Sequence, residues 1–384
     1  METDNLSARS ALVSSSRVVV KVGTRLLASK RGSPEARRLR ELVQAIVLLK
    51  KSGKEVVLVT SGAVGMGIDA LGLKRRPTTV PDLQMAAAVG QARLMAYYEK
   101  LFLARKLRVG QILLTREDTQ DRLRHLNARN AILNLLRHDV VPIVNENDAV
   151  SVSEIQFGDN DMLAALTTLL VNADVLVLLS TVNGLRESVR KGKTRRVSYI
   201  ERVDQSARAM VRDTASDMSL GGMGSKLEAA DFVAQVGKSV VIADGRKSDT
   251  LARIFAGEDV GTLIGNSSKL TGVRGGRKRW LAFFHRSEGV VVVDQGASLA
   301  LSKNGRSLLA IGIKAVRGNF SEGALVTVED ASGRSIARGL VDYSSSDITK
   351  IRGKRSSEIA SVLGRKDYDE VIHRDNMVVL EGAK

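Results

Sequence analysis

Over the first two-thirds of the chain, short runs of β-branched residues alternate with stretches of helical periodicity. Val18–Val22 is a strand-sized run of nearly continuous apolar character. From about Glu35 to Lys51, apolar residues recur at helical spacing (Leu39, Leu42, Val43, Ile46, Leu49), and Gly53 stands where a C-terminal helix cap belongs. The same reading predicts strands at Glu55–Val59, Val109–Leu114, Val140–Val144, Val175–Leu179 and Ser239–Ile242. It predicts helices at Pro81–Ala104, Asn127–Arg137, Asp161–Val171 and Lys226–Val236.

Strands that are apolar on both faces and separated by helices imply an α/β fold, a mainly parallel sheet sandwiched by helices. In such sheets ligands gather beyond the carboxyl ends of the strands. Polar, glycine-bearing segments do follow the strands here: Lys21-Val22-Gly23-Thr24, Thr60-Ser61-Gly62-Ala63, Asn145-Glu146-Asn147-Asp148 and Ser180-Thr181-Val182-Asn183-Gly184. The pattern changes after about Gly265. Residues 266–279 are rich in Ser, Gly and basic side chains and read as a linker between a first domain, 17–265, and a second, 280–384. In the second, short runs at Gly289–Asp294, Ile311–Val316, Ala324–Glu329 and Ile336–Val341, spaced by glycines, predict a small β-rich domain with a helix near Ser356–Leu363.

Composition narrows the function. The chain has 384 residues, 43% of them apolar, which is enough for two real cores. It has no cysteine, so disulfides, thiolate zinc sites and Cys nucleophiles are excluded. The Met1–Ser16 stretch is polar and lacks the apolar core of a signal peptide. No apolar run reaches the roughly 18 residues of a membrane span, so the expected setting is cytoplasmic, without a membrane partner. The net charge of +17 has two readings, a nucleic-acid surface or a basic exterior that also attracts ATP and acidic metabolites. An aromatic content of 3% is low for a surface that stacks bases.

The candidate chemistry lies at the strand tips. Four histidines scattered along the chain give no metal spacing, and no G-x-x-x-x-G-K-[ST] phosphate loop is present. Lys21 ends a strand just before Gly23, a setting that can hold a phosphate. Leu220-Gly221-Gly222-Met223-Gly224-Ser225-Lys226 runs into a helix. Its glycines admit close approach of a nucleotide, and a lysine at a helix start is unfavourable unless a polyphosphate binds beside it. Asp159, Asn160 and Asp161 precede another helix. They can be read as a simple N-cap, but three successive polar acceptors exceed what one cap uses, and two carboxylates could orient lysines or magnesium. Ser61 and Gly62 suit a carboxylate, and Asn147 with Asp148 suits a substrate ammonium. Two lysines and several carboxylates at one sheet edge match phosphoryl transfer, where positioning and charge neutralisation do most of the work.

These residues resemble the glutamate 5-kinases of the amino acid kinase family. The likeness rests on Val18-Val19-Val20-Lys21-Val22-Gly23-Thr24, Val59-Thr60-Ser61-Gly62-Ala63, Ala87-Ala88-Val89-Gly90-Gln91, Leu113-Leu114-Thr115-Arg116, Leu126-Asn127-Ala128-Arg129, Asn145–Val150, Gly158-Asp159-Asn160-Asp161 and Gly221-Gly222-Met223. Gly312-Ile313-Lys314, Gly318-Asn319-Phe320 and His373-Arg374-Asp375 make the second domain similar to a PUA domain, a module found in RNA-modifying enzymes.

The resemblance implies transfer of the ATP γ-phosphoryl group to the side-chain carboxylate of L-glutamate, the first step of proline biosynthesis. It implies magnesium carried mainly on the ATP phosphates, with no direct protein ligand. Proline would be a feedback inhibitor, a glutamyl phosphate reductase the pathway partner, and the enzyme a homo-oligomer, dimer or tetramer. Lys21 and Lys226 would stabilise the phosphates and the transferring group, Asp159 would orient the lysines, and Asp161 is a further catalytic candidate. Ser61, Gly62, Asn147, Asp148 and Asn160 would hold glutamate. Lys21, Ser180, Thr181 and the loop of Leu220, Gly221, Gly222, Met223, Gly224, Ser225 and Lys226 would hold ATP. The chain departs from the common family pattern at Thr181, Arg186 and Leu220, all on the nucleotide side. Two rival readings remain at this point: an RNA-binding protein, and a sister kinase for acetylglutamate, aspartate or a nucleotide.

Overall fold

The computed structural model describes residues 2–27, 36–150, 160–189, 193–212, 222–265 and 287–380. The chain divides into two compact units, Met1–Leu270 and Thr271–Lys384. The expected linker, 266–279, lies outside the described residues.

In the first unit the strands are β1 (Arg17–Val22), β2 (Glu55–Val59), β3 (Arg108–Leu114), β4 (Val140–Glu146), β5 (Val175–Ser180), β6 (Arg186–Ser188), β7 (Thr194–Arg196), β8 (Tyr199–Ile200), β9 (Ser239–Asp244) and β10 (Thr262–Ile264). The main sheet has the order β3-β4-β2-β1-β5-β9-β10-β8, and β6 and β7 form a separate hairpin. From β3 through β9 every neighbour is parallel, while β10 runs antiparallel to β9. The sheet is thus mainly parallel, as expected. Strand β1 is flanked by β2 on one side and β5 on the other, so the strand order reverses there, and ligands favour such a switch point.

The helices are α1 (Glu2–Val13), α2 (Thr24–Leu27), α3 (Ala36–Lys51), α4 (Ala63–Ala70), α5 (Val80–Leu103), α6 (Arg116–Gln120), α7 (Arg122–Arg137), α8 (Asn160–Leu170), α9 (Gln205–Arg212), α10 (Met223–Ala234) and α11 (Thr250–Phe255). Side chains alternate across a strand, and this decides what faces what. Val18, Val20 and Val22 join a core with Leu39, Val43 and Ile46 of α3, Leu94, Tyr98 and Phe102 of α5, and Leu12 of α1. Val19 and Lys21 point to the opposite face, which α8 covers, with α10 packed beside it.

Most expected elements are present with ends shifted by a residue or two, and Gly53 adopts the left-handed conformation (φ 86°) that a helix cap needs. Two differences bear on the site. The helix expected from Lys226 begins at Met223, so Lys226 lies within its first turn. The polar start of the chain forms α1, with only Ala8 and Leu12 among its apolar side chains turned inward; a stripe that sparse is invisible to periodicity. No helix of the described residues is long and apolar enough to cross a membrane.

The second unit is a five-stranded sheet of order β12-β11-β13-β14-β15, from β11 (Gly289–Val293), β12 (Ile313–Arg317), β13 (Leu325–Glu329), β14 (Ser335–Leu340) and β15 (Met377–Val379). The β11–β13 pair is parallel and the others are antiparallel. Val291, Val326, Val328, Ile336, Tyr343 and Ile372 build its core. The run expected to be a strand from Ile311 starts as a 3-10 turn at Ala310–Gly312. The expected helix near Ser356–Leu363 is a 3-10 turn, Ser356–Glu358, continued by a helix at Ile359–Leu363.

Candidate active site

The site is organised by one carboxylate. Asp161, in the first turn of α8, is fully buried, with a side-chain exposure of 0%. Its Oδ1 meets the ammonium of Lys21, which rises from the α8-facing side of β1. Its Oδ2 accepts from Lys226 Nζ of α10 at 2.9 Å and from Ser225 Oγ at 3.3 Å. Both lysines are themselves buried. A lone carboxylate in such a place would be costly, and two ammonium groups on its two oxygens compensate it. The trio keeps a net charge of +1, which favours a further anion beside it.

The first turn of α10 adds to that preference. Gly222 is its N-cap and supplies no side-chain cap. The Gly222 carbonyl accepts from Ser225 Oγ at 3.0 Å and Lys226 Nζ at 3.4 Å, which folds the turn around the lysine. Backbone N–H groups at such a start, with a glycine in place of a capping side chain, suit phosphate oxygens. On the other side of Lys21, a Cβ at Gly23 would sit 3.5 Å from the ammonium.

Next to Asp161 the side chain of Asn160 ties the tips of β2 and β4 together. Its Nδ2 donates to Thr60 O at 2.6 Å, Ser61 Oγ at 2.8 Å and Asn145 Oδ1 at 2.8 Å. Asn145, at the end of β4, is a site residue that the sequence reading passed over. It is buried, its Oδ1 also accepts from Glu146 N at 3.0 Å, and its Nδ2 is a buried donor with no hydrogen-bond partner among the described residues. An unmatched buried donor at a strand tip costs stability and is best explained by a ligand or water that it serves. Its sequence signal is its place in the polar Asn145–Asp148 run at the end of a buried strand.

Asn147 and Asp148 follow on the turn after β4, and Asn147 N donates to Leu114 O at 3.0 Å. Burial raises the Asp148 carboxyl to about 6, Glu146 pushes in the same direction, and Arg76 opposes them. A cation placed there would recover the ionised form.

Close helix contact holds the Ser61–Gly62 tip. A Cβ at Gly90 of α5 would lie 1.7 Å from Ala63 O, and a Cβ at Gly67 of α4 would lie 1.7 Å from Ala86 O. Only glycine allows this approach, and Gly62, the N-cap of α4, has φ 110°. Thr60 Oγ1 and Tyr98 OH are 2.8 Å apart, and burial holds the phenol above its ordinary range. Gln91 Nε2 reaches Glu146 O at 3.2 Å, bracing α5 against the tip of β4.

The fold therefore brings Lys21, Asp161, Ser225, Lys226 and Gly222 into one cluster, with Asn160, Ser61 and Asn145 adjoining it. Met223 and Gly224 lie in the first turn of α10. Ser180 ends β5 beside β1 and pairs in register with Asp244, and Thr181 follows it. Asp159, Leu220 and Gly221 lie outside the described residues.

Residues 16–244 match the family model for the amino acid kinase family, and residues 289–363 match that for the PUA domain. The chain is 44% identical over 374 residues to the glutamate 5-kinase of Moorella thermoacetica, covering 97% of this chain and 98% of the relative. It is 44% identical over 366 residues to the glutamate 5-kinase of Syntrophotalea carbinolica, covering 94% and 97%. Among solved structures, carbamate kinase from Giardia lamblia bound to AMP-PNP covers 66% of this chain and 99% of its own, at 19% identity and a TM-score of 0.48.

Proposed function

Since this chain belongs to the amino acid kinase family, in its glutamate 5-kinase branch and with a PUA domain behind it, we propose the following reading of its activity. The enzyme transfers the γ-phosphoryl group of ATP to the side-chain carboxylate of L-glutamate, giving ADP and L-glutamyl 5-phosphate at the start of proline biosynthesis. A carboxylate oxygen of glutamate forms the new bond to phosphorus as the bond to the β,γ-bridging oxygen breaks.

The observation that carries the site assignment is the single buried carboxylate of Asp161 with a lysine on each oxygen. A glutamate side chain, with an ordinary value of about 4.3, is already ionised at neutral pH and needs no general base. The obstacle is repulsion between two anions, and preorganised cations lower it. Lys21 and Lys226 take that role, with Asp161 and Asp159 orienting them. Ser225, Gly222, Met223, Gly224, Gly221 and Leu220 cradle the phosphates, and Ser180 and Thr181 take the nucleoside side. Ser61, Gly62, Asn147, Asp148 and Asn160 hold glutamate, and Asn145 joins them as a donor.

Magnesium fits as a passenger on ATP. Both oxygens of the buried Asp161 are taken up by Lys21 and Lys226, so magnesium would enter on the ATP phosphates. The ion commonly keeps several waters and binds through substrate phosphates with one or two carboxylates. When bound it would neutralise phosphate charge.

The kinase domain is 17–265 and the PUA-like domain 280–384, the latter offering RNA a surface. Proline is the feedback inhibitor, a glutamyl phosphate reductase consumes the product, and the enzyme is a cytoplasmic homo-oligomer. Purified protein with ATP and magnesium should form ADP only when glutamate is present, and hydroxylamine should trap the acyl phosphate as a hydroxamate. Equal or greater turnover with aspartate, acetylglutamate or a nucleotide would refute the substrate assignment.

A further inference from the structure

One buried cation fastens the N-terminal helix to the far edge of the sheet. Arg9 of α1 is 3% exposed. Its Nη1 donates to Glu258 O at 2.9 Å and Val260 O at 3.1 Å. Its Nη2 donates to Ser198 O at 2.9 Å and Gly261 O at 3.3 Å, and lies 2.8 Å from Asp259 Oδ1. Its Nε donates to Asn5 Oδ1 at 2.9 Å, and Asn5 Nδ2 donates in turn to Ser198 Oγ at 2.9 Å. Burying a guanidinium is expensive unless its donors are matched. Here they are matched by carbonyls from two segments, 198 on one side and 258–261 on the other, which Arg9 clamps in addition to the β8–β10 pairing and the Arg196–Asp259 ion pair.

Those segments support a loop of the active site. Thr262, fully buried, follows Gly261 directly. Its Oγ1 donates to Val197 O at 2.6 Å and accepts from Leu185 N at 2.8 Å. Gly184 has φ 123°, and a Cβ there would come 2.4 Å from Thr262 Oγ1. The 184–185 peptide therefore rests on Thr262, and it is the exit of the Ser180–Gly184 loop.

We propose that Arg9 is a positioning residue for ATP. It fixes the carbonyls of Ser198 and Gly261, these set Thr262, and Thr262 sets the end of the loop that follows β5. The helix acts from the sheet face opposite Lys21 and Lys226, without touching the nucleotide. The inference rests on the assignment of Ser180 and Thr181 to the nucleotide side. A purely structural tether would lower the melting temperature and leave substrate affinities alone.

The test is a steady-state comparison in the full-length enzyme, with thermal unfolding followed in parallel. Arg9→Ala should raise KM for ATP about tenfold while KM for glutamate stays within about twofold, because a small misplacement of a binding loop is costly. Arg9→Lys, whose point charge cannot span both segments, should fall between. If Arg9→Ala fails to fold, Thr262→Val removes only the linking hydroxyl and should show the same ATP-selective change. An unchanged KM for ATP in the soluble variants, or equal rises for both substrates, would overturn the proposal. Thr181→Glu separates the two layers. A raised KM for ATP there, with none at Arg9 or Thr262, defeats this inference alone. No response at Thr181 defeats the loop assignment and this inference with it.

Discussion

Asn160 Nδ2 lies 2.8 Å from Ser61 Oγ, while the next side chain, Asp161, turns to Lys21 and Lys226. Successive residues in a helical first turn point about 100° apart, so one helix start serves two neighbouring subsites. One position organises the strand tips assigned to glutamate, and the other organises the cations assigned to the transferring phosphoryl group. This division lets the two halves of the reaction be tested separately.

Asp161→Asn is expected to disable chemistry and weaken the fold together. An amide cannot neutralise two buried ammonium groups, and breaking a buried ion pair from one side costs about 3–5 kcal/mol. Turnover should fall by about two to three orders of magnitude. Lys226→Ala and Lys21→Ala should lower kcat by a similar factor with a smaller effect on KM for glutamate. Full turnover in Lys226→Ala, measured as glutamate-dependent ADP release, would remove α10 from the mechanism.

The pH dependence should reside in KM for glutamate. The Asp148 carboxyl is raised to about 6, first by burial and then by Glu146. A raised value means that this group takes up a proton as the pH falls through about 6, and it then loses its attraction for the substrate ammonium. KM for glutamate should therefore rise as pH drops from 7 to 5, with kcat changing less. The same sign makes the ligand-free fold gain stability from this residue as pH falls through that window, since the folded state binds the proton more tightly than the unfolded chain. In Asp148→Asn, KM should be high and nearly flat with pH. A KM in wild type that is constant between pH 5 and 7 would contradict the assignment.

How far the sequence could be read depended on the range of the interaction. Val18–Val22, Glu55–Val59 and Val175–Leu179 were legible because a strand buried on both faces must be apolar throughout. Gly53 was legible because a helix end demands a left-handed residue. The polar tips after β1, β2, β4 and β5 followed from the general geometry of parallel sheets. By contrast, the lysine at position 226 looked misplaced at a helix start, because its partner Asp161 is 65 residues away in sequence and beyond any local pattern. Asn145 was hidden for another reason: in a run of four polar residues, nothing local says which one faces inward. Arg9 was missed because a single buried arginine on a weakly amphipathic helix leaves no periodic trace.

Gly90→Ala should damage the glutamate side without touching a substrate. The added methyl would lie 1.7 Å from Ala63 O, well inside contact distance, and the obstructing atom is backbone. Helices α4 and α5 must then separate. Overpacking of this kind costs about 1–3 kcal/mol, and the rigid contact leaves little room for relief. Because Ala63 follows Gly62 and Ser61, the shift should raise KM for glutamate more than KM for ATP. Thermal unfolding together with both KM values checks this. A variant with lower stability and unaltered KM for glutamate would show that the α4–α5 contact does not set the Ser61 tip.

Removing the chain after Gly265 should leave a folded kinase with reduced but measurable activity. Every described residue of the site lies in the first unit: Lys21 on β1, Asn145 on β4, Asn160 and Asp161 on α8, and Lys226 on α10. The two units have separate sheets and separate hydrophobic cores, so each can bury its own apolar face. The measurement is hydroxamate formation by the truncated protein, alongside a melting curve to establish that it folds. A truncated chain with a cooperative melt and no activity would mean that the C-terminal unit takes part in catalysis. A chain without a cooperative melt would mean that the boundary near 265 is wrong.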